Sequence, residues 1–89
     1  MEEELLRKVE ELARLLMTPQ QISVLLGLSG ELEAELLNPF SDAGRLYRRV
    51  LAEKAKDLHE KTLRLADVGS PSALEDANAF LRAAQIAIE

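Results

Sequence analysis

The chain has no cysteine and no tryptophan, and Phe40, Tyr47 and Phe80 are its only aromatics. Without cysteine, disulfide scaffolds and thiolate metal sites are excluded. With so few rings, the core has to be built from Leu, Ile, Val and Ala, a palette that suits helices packed on helices. Glycine and proline are sparse as well, four and three, so chain breaks fall at few places. No apolar run approaches the roughly 20 residues of a membrane span. The start, Met1-Glu2-Glu3-Glu4, is acidic where a secretory signal is basic. A cytoplasmic protein without membrane contact is the expectation.

Apolar residues are 47% of the 89, enough for one small core and too many for a disordered tail. The net charge is −5, which argues against a simple nucleic-acid coat protein. Its distribution says more than its total. Residues 18–30 carry no charge, residues 31–42 carry four acids and no base, and residues 43–61 carry six bases against three acids. A basic block therefore sits inside an acidic chain.

Capping chemistry divides the chain into five helices. Residues 3–16 place Leu5, Val9, Leu12 and Leu16 on one stripe at spacings of four, three and four. Thr18 caps a second helix, Pro19 takes its first position, and Gln21 completes a capping box. Ile22, Leu25 and Leu26 form its expected buried face, Ser23 is the small residue at a helix crossing, and Gly27 ends it. A third helix runs from about Gly30 to Leu37 with Leu32, Leu36 and Leu37 inward. It stops at Asn38-Pro39, because the residue before proline is pushed out of the helical region. Phe40 is expected to plug the core from the connection. Ser41 caps a fourth helix over 42–67, about 39 Å long at 1.5 Å per residue. Gly69-Ser70-Pro71 combines a C-cap, an N-cap and a first-turn proline and opens a fifth helix over 71–87. No strand pattern is present. The fold class is all-α: a three-helix helix-turn-helix head (1–38) followed by a long helical hairpin (42–89), forming one compact domain overall.

The long fourth helix carries Tyr47, Val50, Leu51, Leu58, Thr62 and Leu65 on one broad face, and the fifth carries Leu74, Ala77, Leu81, Ala84 and Ile88. Two arrangements cover that surface. A second copy of the chain meets it, with Tyr47, Leu51, Leu58, Leu65 and Leu81 at the oligomer interface, or the head folds back along the hairpin as a five-helix bundle.

Two features point toward DNA. One is the helix, glycine turn and helix over 18–37, the shape of a DNA-reading helix-turn-helix. The other is a basic stripe. Arg45, Arg48 and Arg49 stand three and four apart and so share a helix face, and Lys56 continues the line. Phosphate contacts need such side chains or backbone N–H groups. The candidate DNA-binding residues are Thr18, Gln20, Gln21, Ser29, Arg45, Arg48, Arg49 and Lys56. Against them, the third helix carries Glu31, Glu33 and Glu35. The stripe also reads as an ordinary solvated face, paired internally through Glu53–Lys56 and Asp57–Lys61. His59 has Lys56 where a helical metal site places a glutamate. No catalytic constellation, metal site or cofactor motif is present, so no enzyme activity is expected.

The chain resembles the small terminase subunits of tailed bacteriophages and prophages over roughly residues 10–83. The matching residues are Leu16-Met17-Thr18-Pro19-Gln20-Gln21-Ile22-Ser23-Val24-Leu25-Leu26-Gly27, then Gly44-Arg45-Leu46-Tyr47-Arg48-Arg49, then Leu65-Ala66-Asp67-Val68-Gly69-Ser70-Pro71-Ser72-Ala73. The resemblance implies a non-enzymatic DNA-recognition subunit in the cytoplasm of a bacterial host cell. It implies homo-oligomers that present viral duplex DNA to a large ATPase–nuclease partner. The alternative is a protein–protein interaction module or a structural helical bundle, natural or designed, without DNA binding.

Overall fold

The computed structural model describes residues 1–88. Five α-helices follow one another: α1 (Glu3–Arg14), α2 (Pro19–Leu26), α3 (Glu31–Leu37), α4 (Asp42–Asp67) and α5 (Pro71–Ala87). There is no strand among the described residues. The fold is all-α. The chain divides into two compact units, Met1–Lys54 and Ala55–Glu89, so the division falls within α4.

In the first unit, α2 packs against α1 and α3. Val9, Ile22, Leu28, Leu36 and Ala43 make the buried cluster, with Leu5, Leu6, Leu12, Met17, Leu26 and Tyr47 packed around it. Ile22, Val9 and Val50 are completely buried, each contributing roughly 1.5–3 kcal/mol of apolar burial. The capping box at α2 is complete: Gln21 N–H donates to Thr18 Oγ1 at 3.1 Å, and Thr18 N–H donates to Gln21 Oε1 at 2.9 Å. Gly27, at φ 65°, closes α2 in the left-handed region. Leu28 N–H then reaches the Ser23 carbonyl at 2.8 Å, and the buried Leu28 side chain anchors the turn. Ser23 is buried, and its Oγ has no hydrogen-bond partner among the described residues. An unpaired buried hydroxyl is unfavourable, so Ser23→Ala should raise stability by about 1 kcal/mol. Urea melts followed by circular dichroism would show it.

The end of α1 departs from the sequence expectation. The helix stops at Arg14, and Leu16 takes φ 63°. The same two-bond closure forms, Met17 N–H to Leu12 carbonyl at 3.2 Å and Leu16 N–H to Ala13 carbonyl at 2.9 Å, but with leucine at the position that glycine favours. Leu16 therefore leaves the buried stripe and is exposed, while Ala13 is buried in its place. A β-carbon in this region costs about 1–2 kcal/mol, and glycine gives back part of that gain as chain entropy. Leu16→Gly should therefore be more stable than Leu16→Ala by about 0.5–1 kcal/mol. Equal melting of the two variants would remove the strain argument.

Other inward expectations also change. Leu25 is 59% exposed and Phe40 79% exposed. Leu32 and Leu37 are exposed as well, and on α3 only Leu36 is buried. A helix of seven residues has room for a single inward row, and Leu36 takes it. Phe40 N–H bonds Asn38 Oδ1 at 2.9 Å, a local turn that directs the chain and leaves the ring outside.

The start of α4 is locked onto the head. Ser41 Oγ accepts from Gly44 N–H at 2.9 Å and meets the carbonyl oxygens of Glu35 and Asn38. Gly44 marks no break in the chain; it lies inside α4, near its start, against the Asn38 carbonyl. One helical turn further on, Tyr47 Oη donates to the Met17 carbonyl at 2.9 Å.

In the second unit, α4 closes at Gly69, φ 93°, with Gly69 N–H to Ala66 carbonyl and Ser70 N–H to Leu65 carbonyl. Ser70 Oγ accepts from Ala73 N–H and opens α5 behind Pro71. His59 stacks on Phe80 with centroids 3.7 Å apart. Among the described residues no helix is long and apolar enough to cross a membrane.

Candidate nucleic-acid interface

Arg45, Arg48 and Arg49 lie on the first turns of α4, inside the first unit, and all three are exposed. Their spacing puts the guanidinium groups on one helix face. Arg45 and Arg48 have no ion-pair partner among the described residues. Arg49 Nε stands 3.7 Å from Glu53 Oε1, and Glu53 is shared with Arg14 at 3.8 Å. Exposed pairs of this length are worth about 0–1 kcal/mol, less than a charge-assisted bond to phosphate. The pair does not hold Arg49 back from a phosphate.

Lys56 falls in the second unit and pairs with Glu60 at 3.4 Å. The internal pairing expected from the sequence is therefore replaced: Glu53 goes to Arg49 and Arg14, and Lys56 takes the acid four residues ahead. Both observed pairs are four residues apart, where side chains on a helix are neighbours, although the base-first order is the less favourable of the two.

The polar candidates on the head differ in how free they are. Thr18 and Gln21 are bonded to one another through the capping box. Pro19 has no N–H, so the first turn of α2 keeps little donor capacity for an anion. Gln20 is exposed, and Ser29 is exposed with its carbonyl accepting from Leu32 N–H at 3.3 Å. The acids of α3 are changed too. Glu35 Oε1 accepts from the Met1 ammonium at 2.8 Å and is half-buried. Glu31 and Glu33 stay exposed, so α3 keeps two free carboxylates where its helix would meet a duplex.

The expected interface residues separate in the same way. Tyr47 packs against the head core and bonds Met17, and burial pushes its phenol above the ordinary tyrosine value. Leu51 is half-buried, whereas Leu58, Leu65 and Leu81 are exposed in the second unit.

Two features of the first unit were not singled out from the sequence. Arg7 and Lys8 on α1 are exposed and lack ion-pair partners among the described residues. Their signal was only a pair of bases in an acidic helix. The second feature is an apolar groove of about 360 Å³ along α2, lined by Met17, Gln20, Gln21, Val24 and Leu25. The helical spacing of Ile22, Leu25 and Leu26 points Leu25 inward and so gives no sign of it. Among the described residues no His, Asp and Glu side chains gather as a metal site.

No protein-family model, curated protein or solved structure matches the chain.

Proposed function

We propose that this protein is a non-enzymatic DNA-recognition subunit of the terminase small-subunit kind. It holds duplex through Arg45, Arg48 and Arg49, and it works as an assembly of copies that present DNA to a large ATPase–nuclease partner. The observation that carries the reading is the arginine face of α4. Arg45 and Arg48 are exposed and have no ion-pair partner among the described residues, on a helix start fixed to the head by Ser41 and Tyr47. Positioned guanidinium groups are what phosphate contacts require. The helix–glycine–helix order of α2 and α3 and the resemblance around Thr18–Gly27 and Gly44–Arg49 support the same reading. Glu31 and Glu33 oppose base reading by α3, so the expected recognition is of backbone and largely independent of base sequence. With three basic contacts per subunit, affinity is modest, and several subunits on one duplex raise it.

The test is fluorescence anisotropy on a labelled duplex at low salt. The triple variant Arg45→Ala, Arg48→Ala, Arg49→Ala should bind weaker by about tenfold per arginine. Equal affinities for wild type and variant would remove the proposal.

A second reading has its own support. The groove on α2 is apolar and carries no charge, which suits a protein partner better than a phosphate backbone. If neither protein binds DNA at low salt, this module reading takes over.

A further inference from the structure

Of the aromatic residues Phe40, Tyr47 and Phe80, two have their rings occupied. Tyr47 packs on the head core and bonds the Met17 carbonyl, and Phe80 stacks on His59. Phe40 is 79% exposed. Its backbone is nevertheless held. Pro39 before it has a fixed φ, Asn38 Oδ1 accepts from Phe40 N–H at 2.9 Å, and the Asn38 carbonyl accepts from Ser41 N–H at 3.2 Å. A ring carried on a bonded turn loses little chain freedom when it meets a partner.

The setting says which partner suits it. Residues 36–41 carry no charge, and between Phe40 and Arg49 the chain has one acid, Asp42, against Arg45, Arg48 and Arg49. On α4 the side that holds Ala43, Gly44 and Val50 is buried. At 3.6 residues per turn the three arginines centre on the opposite side. Four residues back from Arg45 is Ser41, whose carbonyl accepts from Arg45 N–H at 2.9 Å. The arginine row therefore begins at the turn that holds Phe40, since Ser41 and Arg45 are about 6 Å apart along the axis. Val24 and Ile88 are more exposed than Phe40, but both lie in stretches without charge, 18–30 and 83–88. An exposed ring beside phosphate-binding groups is the combination that engages bases: the cations track the backbone and the ring stacks.

We infer that Phe40 is a stacking wedge that enters a base step of the duplex held by Arg45, Arg48 and Arg49. Its ring replaces part of the stacking that the opened step loses. The inference rests on the DNA reading of the proposed function and adds a preference to it. What counts is how readily a step opens, not which bases it holds, so recognition stays largely independent of base sequence. A mismatched base leaves the stack at least cost, and a duplex with one weakened step is the preferred ligand.

The experiment is fluorescence anisotropy of the full chain at low salt, on a matched duplex and on the same duplex with one mismatched pair. The wild type should bind the mismatched duplex about tenfold tighter. Phe40→Ala should bind the two alike, and Phe40→Trp should keep the preference, because an indole also offers a flat face. The side chain is mostly exposed, so both variants should melt with the wild type, as checked by circular dichroism. The triple arginine variant should lose affinity for both duplexes by a similar factor. A wild type that binds the two duplexes alike, or a Phe40→Ala protein that keeps the preference, overturns the wedge and leaves the arginine reading standing. A wild type that binds neither duplex overturns both.

Discussion

Gly44→Ala should destabilise the head by about 3 kcal/mol or more, at the upper end of what overpacking does. Helix propensity alone says the opposite, since alanine is better than glycine inside a helix by about 1 kcal/mol. The two arguments differ in sign, and geometry decides between them. A β-carbon on Gly44 would lie inside the envelope of the Asn38 carbonyl oxygen, 2.7 Å from Asn38 C and 3.1 Å from Ser41 Oγ. The carbonyl has no easy retreat, because Asn38 O also accepts from Ser41 N–H at 3.2 Å and Ser41 Oγ at 2.9 Å. Relief requires α4 to move off α3, and the Tyr47–Met17 bond resists that. At roughly 0.05–0.15 kcal/mol per residue, a unit ending at Lys54 has about 3–8 kcal/mol in all. The variant should therefore melt far below the wild type or fail to fold, as read by circular dichroism. A Gly44→Ala protein as stable as the wild type would mean that α4 does not approach Asn38 this closely.

Ile22→Ala should cost about 2–5 kcal/mol. Ile22 is completely buried at the centre of the cluster that joins Val9, Leu28, Leu36 and Ala43. It is the one large aliphatic side chain of α2 that is fully inside. Its loss removes both the apolar transfer and the packing of three helices around it, and the short α2 and α3 have no second row to collapse into the gap. The matched comparison is Leu25→Ala on the same helix, at a side chain that is mostly exposed, where the change should stay within about 0.5 kcal/mol. Chemical denaturation of the two variants separates them. Similar losses at both positions would mean that α2 is turned differently on the core.

The helix boundaries were legible because their chemistry is local. Thr18-Pro19-Gln20-Gln21, Gly27, Asn38-Pro39 and Ser70-Pro71 each satisfy or block backbone groups within a few residues, and α2 and α5 begin, and α2 and α3 end, where those signals stand. Burial was legible at Val9 in α1, Ile22 in α2 and Leu36 in α3, and not at their neighbours Leu16, Leu25, Leu32 and Leu37. In α2 and α3 leucines point in several directions, and which row turns inward depends on neighbours that local spacing does not name. Leu16 shows the same limit, because nothing marks a leucine for a left-handed position. Gly44 did carry a signal: a glycine inside a good helix is unfavourable, and that asks for a close approach.

The candidate interface divides along the same line. The i, i+3, i+4 spacing gave the arginine face directly, and Glu53 as the i+4 partner of Arg49 follows from the same arithmetic. The Met1–Glu35 pair and the Tyr47–Met17 bond span 34 and 30 residues. They altered the reading of α3 and of the interface because tertiary contact, not sequence spacing, sets them. The apolar groove on α2 came into view only when Leu25 was seen to face out.

The most direct measurement is the salt dependence of duplex binding for three proteins: the wild type, the triple arginine variant at 45, 48 and 49, and a control with Arg7→Ala and Lys8→Ala. Each neutralised phosphate releases close to one counterion, so the slope of log affinity against log salt should fall by about 3 in the triple variant. The control also removes exposed bases from the first unit and should keep nearly the wild-type slope. A wild-type slope in the triple variant, or an equal fall per charge in the control, would contradict DNA recognition through the arginine face of α4.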